Sequence, residues 1–174
     1  MARESQAAIR LTGVDKFRLE LRALGPKWTK ELSKLNKEVG EEAAKWARGG
    51  ASQQGGVVAK AAYSIVGAGT ATGARVRWGG SGYEFADGAF YGAKKYPQFS
   101  EWIGTGWKVA QPGGGPYGIN PALAARKDDI GEMFLDKLTE LAATVDAFYE
   151  RSGADALANV GVTAPTSSRS FSIT

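Results

Sequence analysis

Two long amphipathic segments dominate the pattern of apolar and polar positions along the chain. In the first, Pro26–Arg48, apolar residues recur at steps of three and four, which is typical of one face of an α-helix. These positions are Trp28, Leu32, Leu35, Val39, Ala43 and Trp46. Gly25-Pro26 and Gly49-Gly50 predict where this helix starts and where it ends. The segment is therefore expected to form a rod of ~34 Å with one face on a core.

Basic residues follow the other side of the same predicted helix. Projected at 100° per residue, they fall within about 80° of one another and are interrupted only by Glu41. They are Lys27, Lys30, Lys34, Lys37, Lys45 and Arg48. We expect this face to meet negative charge or to be simply solvated.

The second amphipathic segment is predicted to run from Asn120-Pro121 to about Arg151, with Ser152-Gly153 ending it. Asparagine is a good N-cap, proline fits the first turn, and Asp128 and Asp129 suit the positive end of the helix dipole. The apolar positions are Ile130, Phe134, Leu138, Leu141, Val145 and Phe148. The two apolar stripes are expected to pack against each other or to cover a sheet together, with the acidic residues of the second helix outside.

Between these helices the sequence turns to small and β-prone residues. Ala62–Val66 and Ala74–Trp78 are predicted to be antiparallel strands, joined by a turn at Gly67–Gly73. In the second strand Arg75 and Arg77 share one face, because side chains alternate along a strand. The hairpin is therefore expected to be half-buried, with a basic face that contacts a partner or water.

The remaining segments are shorter. Val14–Leu24 has the spacing of a short helix, and Ile9, Leu11 and Thr12 can form a short strand before it. Residues 49–56 are expected to be a flexible polar loop. Residues 83–93 are expected to return as another strand or to form a loop packed by its aromatics.

Residues 94–118 combine five aromatic residues with three prolines and several glycines, without helical or strand periodicity. A loop of this length inside a domain is usually functional or disordered, and its aromatic content argues against disorder.

The predicted fold class is α+β, a small antiparallel sheet flanked by a long N-terminal and a long C-terminal amphipathic helix. One domain is expected at 14–151, with arms at 1–13 and 152–174.

Composition excludes several kinds of chemistry. The 174 residues include no cysteine and no histidine, which removes disulfides, thiolate zinc sites and histidine-based triads. Neither a membrane-spanning run nor a signal peptide is recognisable, so we expect a chain made and kept in a cytoplasm. No cofactor, metal or catalytic residues are predicted. An enzyme would have to use carboxylates, lysine, tyrosine or serine alone. The acid–base candidates are Glu84, Asp87 and Glu101, a pair of which could act as in a glycosidase, with the aromatics binding a sugar.

Charge is distributed unevenly along the chain. The net charge is +4 overall, with +5 in residues 1–60, +2 in 61–119 and −3 in 120–174. The excess of positive charge in residues 1–60 suggests a polyanionic partner. Because the sequence has no motif that reads bases, any DNA contact would be to the phosphate backbone. From the residues alone these interpretations stay open: a soluble protein with ordinary solvated helices, a soluble sequence-independent DNA-binding protein, and a small carbohydrate-active enzyme or binding module.

The order of these parts resembles the tail-completion, or neck, proteins of long-tailed bacteriophages, which are minor tail components of the head–tail connector. The most specific match is AFYGA at 89–93 followed by KKYPQFSEWIG at 94–104, which is similar to an E-F-G … Q-F-P-P-W-x-G stretch of actinobacterial-phage members. NPAL at 120–123 is similar to the family's entry to its last helix. The resemblance covers roughly residues 10–150.

The resemblance implies a non-enzymatic virion protein with an α+β fold. Its subunits would form a homo-oligomeric ring, usually sixfold, between head-closure and tail-terminator rings around the DNA path. Such a protein would assemble in the host bacterial cytoplasm and would have no membrane partner. We expect contacts between subunits at Tyr96, Phe99, Trp102, Ile103, Trp107 and Tyr117. A surface facing packaged DNA or the next ring is expected at Lys27, Lys30, Lys34, Lys37, Lys45, Arg48, Arg75 and Arg77.

Overall fold

Helices and a small antiparallel sheet make up the α+β structure of this chain. The structure is a computed structural model that describes residues 5–8, 14–103 and 117–160. In chain order the elements are β1 (Ser5–Ala8), α1 (Val14–Ala23), α2 (Pro26–Gln53), α3 (Gly56–Ala62), β2 (Val66–Thr70), β3 (Gly73–Trp78), α4 (Ala86–Tyr91), α5 (Ile119–Ala125) and α6 (Lys127–Val160). The predicted fold class is confirmed. Among the described residues, no helix is long and apolar enough to cross a membrane.

The chain divides into two compact units, Met1–Leu138 and Thr139–Thr174, and α6 contributes residues to both. These boundaries do not coincide with the predicted domain at 14–151 and its arms. In the first unit the strands are ordered β1-β3-β2, and both pairings are antiparallel. Part of the predicted N-terminal arm is thus an edge strand, β1, whereas the strand predicted at Ile9, Leu11 and Thr12 lies outside the described residues.

The apolar stripe of the first long helix forms the core as predicted. Five of its six residues are buried and Trp46 is half-buried. Other large, fully buried side chains of the first unit include Trp78 of β3, Phe90 of α4 and Ile119 of α5. Of the two arrangements that the sequence left open, the structure places α2 on the sheet. One contact between α2 and α6 is an ion pair from Lys137 to Glu38.

The predicted position of the first strand was wrong. Residues 62–65 precede the strand, and β2 consists of Val66, the last residue of the predicted strand, and of residues 67–70, which were assigned to the turn. The cause is the close approach of α2. A Cβ atom on Gly67 would lie 2.2 Å from the Glu41 amide nitrogen, and one on Gly69 would lie 2.1 Å from the Lys37 amide nitrogen. From the helix side, a Cβ on Gly40 would lie 2.5 Å from the Ala68 carbonyl oxygen.

The end of the first long helix was also predicted wrongly. It continues through Gly49-Gly50 to Gln53, so the predicted loop at 49–56 is helical over most of its length. Gly50 lies where α2 passes α5, because a Cβ there would be 2.5 Å from the Cβ of Ala122. Glycine at this position permits helix packing rather than ending the helix.

The C-terminal segment is two helices rather than one. The first, α5, begins at Ile119 after Gly118 as N-cap, so Asn120 is a buried residue of the first turn and not the cap. Arg126 interrupts the helix, and α6 continues to Val160 rather than to Arg151. Asp128 and Asp129 do lie in the first turn of α6, as expected from the helix dipole.

Two smaller predictions have opposite outcomes. The helix predicted at Val14–Leu24 is confirmed as α1. The segment 83–93 was predicted to be a strand or a loop, but residues 86–91 form the short helix α4, which buries Ala86, Ala89, Phe90 and Tyr91.

Candidate interaction surfaces

The first part of the predicted aromatic loop is held in a closed conformation by backbone contacts. We call residues 92–103 the anchored loop. Its amide and carbonyl groups pair across the base: Ala93 N–H donates to Ser100 O at 3.0 Å, and Ile103 N–H donates to Tyr91 O at 2.9 Å. Gly92 has φ 78°, and a Cβ there would lie 2.0 Å from the Glu101 carbonyl oxygen. Compact loops with close ends of this kind often have functional roles.

A β-turn forms the tip of the anchored loop. The Phe99 amide donates to the Tyr96 carbonyl oxygen at 3.1 Å, and proline occupies the second position of the turn, which its fixed φ favours. The Tyr96 and Phe99 rings meet edge to face at 6.3 Å. The Phe99 ring also lies over Gly88 of α4, where a Cβ would come within 3.2 Å of it. The turn is therefore fixed by local chemistry and by packing.

The base of the anchored loop rests on the buried aromatic cluster of the core. Trp78 meets Phe90 edge to face at 5.8 Å and Tyr91 at 6.2 Å, and its Nε1–H donates to Asp87 Oδ1 at 3.1 Å. Tyr117 adds a second support, because its amide donates to Phe90 O and its hydroxyl to Glu101 O, both under 3 Å. Burial, together with the negative charge of Asp87, raises the pKa of Tyr91.

Apolar side chains project from this fixed backbone into solvent. Tyr96 is 56% exposed, Trp102 38% and Ile103 37%. Of the other contact residues expected from the sequence, Phe99 and Tyr117 are half-buried and serve mainly to hold the loop, whereas Trp107 lies outside the described residues. The expected contact surface is thus reduced to three exposed residues on an ordered loop.

The expected basic surface is divided by the fold into two separate parts. Lysines of α2 are exposed on the side of the helix away from the core, and Arg48 is half-buried with Nη1 donating to Ile65 O at 3.4 Å. Arg75 and Arg77 are half-buried on β3, on the opposite side of the strand from the buried Ala74 and Val76 that face α2. The sheet therefore separates the two arginines from the lysines of α2.

Several exposed lysines of α2 contact a glutamate or an aromatic ring of the same helix. Lys37 pairs with Glu41 at 3.6 Å, and Lys45 pairs with Glu42 at 2.5 Å. The Lys27 ammonium lies 4.8 Å from the centre of the Trp28 ring. We call Lys30 and Lys34 the basic face of α2; both are exposed, and neither has an ion pair with a described residue.

A complementary feature on α6 was missed as a site. Asp128, Glu132 and Asp136 are exposed at helical spacing, and Leu135 lies among them with 62% of its surface exposed. We call these four residues the acidic face of α6. The sequence signal was present in the spacing of 128, 132, 135 and 136, but Asp128 was interpreted only as a first-turn residue and the other acidic residues only as the outer face of a helix.

Two of the three carboxylates considered for catalysis, those of Asp87 and Glu84, have structural partners. Asp87 accepts the Trp78 hydrogen bond, and Glu84 accepts one from the Gly82 amide at 3.0 Å. Backbone hydrogen bonds from its own amide and from Gly82 lower the pKa of Glu84, whereas a general acid requires a raised pKa. Glu101 is exposed, and its backbone carbonyl oxygen accepts the hydrogen bond from the Tyr117 hydroxyl. Within the described ranges no cluster of acidic residues could hold a metal ion.

Ser64 also has a structural role. It is buried, its hydroxyl donates to Ala61 O at 2.7 Å, and it accepts the Gly79 amide at 3.0 Å. It therefore joins the end of α3 to the end of β3.

Known proteins offer no independent guide to these surfaces. No protein-family model matches the chain, and no characterised protein or solved structure is significantly similar to it. The function of the chain is therefore inferred from its residues and their geometry.

Proposed function

We propose that this chain is a non-enzymatic structural protein of a bacteriophage virion. It would be a ring-forming tail-completion, or neck, subunit that joins the head connector to the tail around the DNA path. The observation that carries the proposal is the anchored loop, which presents Tyr96, Trp102 and Ile103 on a backbone already fixed by hydrogen bonds. The resemblance of residues 89–104 and 120–123 to neck proteins supports the same assignment.

Physical chemistry favours a protein partner for the anchored loop. Tryptophan and tyrosine are the residues that most often dominate binding energy when a partner buries them. Ordering a loop on binding costs conformational entropy, and a loop held in place by its own hydrogen bonds avoids most of that cost. Three exposed apolar side chains on such a loop therefore suit a contact that forms between rigid subunits.

Imaging of phage particles tests this proposal. Without the gene, we expect filled heads and finished tails that remain separate, and wild-type protein supplied in trans should restore joined particles. Trp102→Ala with Tyr96→Ala should restore few joined particles, because the loop loses its apolar contacts but not its backbone anchors. Tyr63→Ala is the matched control, since Tyr63 is 78% exposed but lies outside the loop.

Two outcomes would contradict the proposal. Joined, infectious particles in the absence of the gene would exclude a role in joining head and tail. Full complementation by the double loop variant would exclude the anchored loop as the contact surface.

DNA binding in solution is the second candidate, and the exposed lysines of α2 are the observation that favours it. It predicts tight binding of the isolated chain to duplex DNA, with an affinity that falls steeply as salt increases. A chain that fails to bind DNA at low salt would remove this candidate.

A further inference from the structure

We propose that the basic face of α2 on one copy of this chain binds the acidic face of α6 on the next copy. The inference rests on the proposed function, because it takes a second copy as the occupant of a helix face. The inference specifies which two surfaces would meet, and it makes the contact between copies head-to-tail.

The two faces match in charge and in spacing. Lys30 and Lys34 are four residues apart on α2, and Glu132 and Asp136 are four residues apart on α6. At a rise of 1.5 Å per residue, both pairs are separated by ~6 Å along their helix axes. Two helices lying side by side can therefore form both lysine–carboxylate pairs at once. The exposed Leu135 beside the carboxylates supplies apolar surface that the contact would bury.

Neither face forms an ion pair with a described residue: Lys30 and Lys34 on α2 have none, and Glu132 and Asp136 on α6 have none. Lys34 nevertheless lies close enough to Glu38 to lower its pKa. Like charges four residues apart destabilise a helix, so each face carries a repulsion that an oppositely charged partner would relieve.

The geometry of α6 turns its acidic face away from α2 of the same chain. Lys137 of α6 is the residue that reaches Glu38 of α2. At 100° per residue, Glu132 lies about 140° and Asp136 about 100° around the helix from Lys137. The carboxylates therefore face outward, where a neighbouring copy can reach them.

The charges around the basic face favour protein over DNA as its partner. Glu31, Glu38, Glu41 and Glu42 also lie on α2, and the first three of them are exposed. Lys34 and Lys137 both lower the pKa of Glu38, with the Lys137 hydrogen bond as the largest cause, which keeps that carboxylate charged. A DNA backbone would be repelled by these charges, whereas a protein surface with mixed charge can accommodate them.

Contact between two different faces has a consequence for assembly. A head-to-tail contact leaves one basic and one acidic face unfilled at the ends of any open chain of copies. Such contacts either close into a ring or extend as a filament. The proposed contact therefore supplies the polarity that a ring subunit needs.

Charge reversal on each face tests the inference in the full chain. The basic-face variant is Lys30→Glu with Lys34→Glu, and the acidic-face variant is Glu132→Lys with Asp136→Lys. Sedimentation velocity at several protein and salt concentrations should show a wild-type oligomer that weakens as salt rises. Each variant alone should raise the dissociation constant on the order of tenfold or more. Circular dichroism checks that both variants are folded.

Restoring assembly with compensating substitutions distinguishes the proposed contact from a general effect of net charge. A 1:1 mixture of the two variants should assemble again. The α2 face of the basic-face variant, now acidic, fits the α6 face of the acidic-face variant, now basic, and the unchanged α2 and α6 faces of the two variants also fit each other. A chain carrying all four substitutions should also assemble. Lys60→Glu and Glu20→Lys, exposed residues outside both faces, should leave the dissociation constant unchanged.

Three results would overturn the inference. They are a wild-type chain that stays monomeric, single-face variants that assemble as the wild type does, and a mixture that fails to restore assembly. Loss of duplex DNA binding in the basic-face variant, with unchanged oligomeric state, would assign that face to DNA instead. A monomeric wild type would leave the proposed function standing, because particle imaging tests joining of head and tail without requiring self-assembly in solution.

Discussion

Gly69→Ala is expected to destabilise the protein, because it places a methyl group between β2 and α2. The added Cβ would lie 2.1 Å from the Lys37 amide nitrogen, about 1.3 Å short of the 3.4 Å at which ordinary contact begins. The nearest atoms belong to the backbone of a long helix, so no side chain can rotate to make room. The strand and helix would have to separate, which would also strain the hydrogen bond from Asn36 Nδ2 to Thr70 O.

The size of this effect follows from two opposing terms. Overpacking of a close contact costs typically ~1–3 kcal/mol. Gly69 has no positive φ, so alanine can adopt its backbone conformation, and the smaller entropy of the unfolded chain returns ~0.4–1 kcal/mol. The midpoints of these two ranges, ~2 and ~0.7 kcal/mol, give an expected net loss of ~1.3 kcal/mol in the free energy of unfolding. For a chain of this length, that lowers the Tm by ~3–5 °C.

Gly49→Ala is the matched control for this measurement. Gly49 lies in α2, and a Cβ there would meet no atom within 4 Å. Alanine is the better helix former, so this variant should gain ~0.5–1 kcal/mol and unfold at a higher temperature. Thermal unfolding followed by circular dichroism compares the two. If Gly69→Ala were as stable as the wild type, the direct packing of α2 on β2 would be refuted.

Three further predictions test individual contacts. Ser64→Ala leaves the partly buried Gly79 amide without its acceptor and should cost ~0.5–1.5 kcal/mol in chemical denaturation; an unchanged midpoint would contradict the assigned hydrogen bonds. Burial and Asp87 raise the pKa of Tyr91, so the folded state holds this proton more tightly than the unfolded state. Stability should thus fall as pH rises above about 10, and Tyr91→Phe should reduce that fall. Lys137→Gln should return the lowered pKa of Glu38 toward its ordinary value in an NMR titration, with little change in stability because the pair is exposed.

Periodicity predicted the parts of the fold that depend on burial of side chains. The stripe from Trp28 to Ala43 is buried on α2, and the alternation along Ala74–Trp78 is the observed alternation of β3. These predictions succeeded because an apolar side chain at regular spacing specifies both the period of an element and the face that it buries.

Glycine caused the main errors because its role depends on tertiary packing. Gly67 and Gly69 were assigned to a turn, and Gly49-Gly50 to a helix end, on their usual local preferences. In the structure Gly67, Gly69 and Gly50 lie where another backbone or a neighbouring helix comes too close for a Cβ. Sequence spacing contains no information on such an approach between elements distant along the chain.

The candidate surfaces could be predicted only in part. The exposed Tyr96 and Trp102 were identified from the density of aromatics, but the sequence could not separate them from Phe99, which helps to hold the loop. The basic residues of α2 and β3 were grouped by charge, whereas the fold places them on different surfaces. Only the three-dimensional arrangement distinguishes residues that hold a surface from those that present it.

Electron cryomicroscopy of the intact phage particle tests the proposed function most directly. The account predicts density for this chain as a closed ring at the head–tail junction, with residues 92–103 of each copy in contact with a neighbouring protein. Absence of the chain from the junction, or a ring in which Tyr96 and Trp102 remain exposed to solvent, would contradict it.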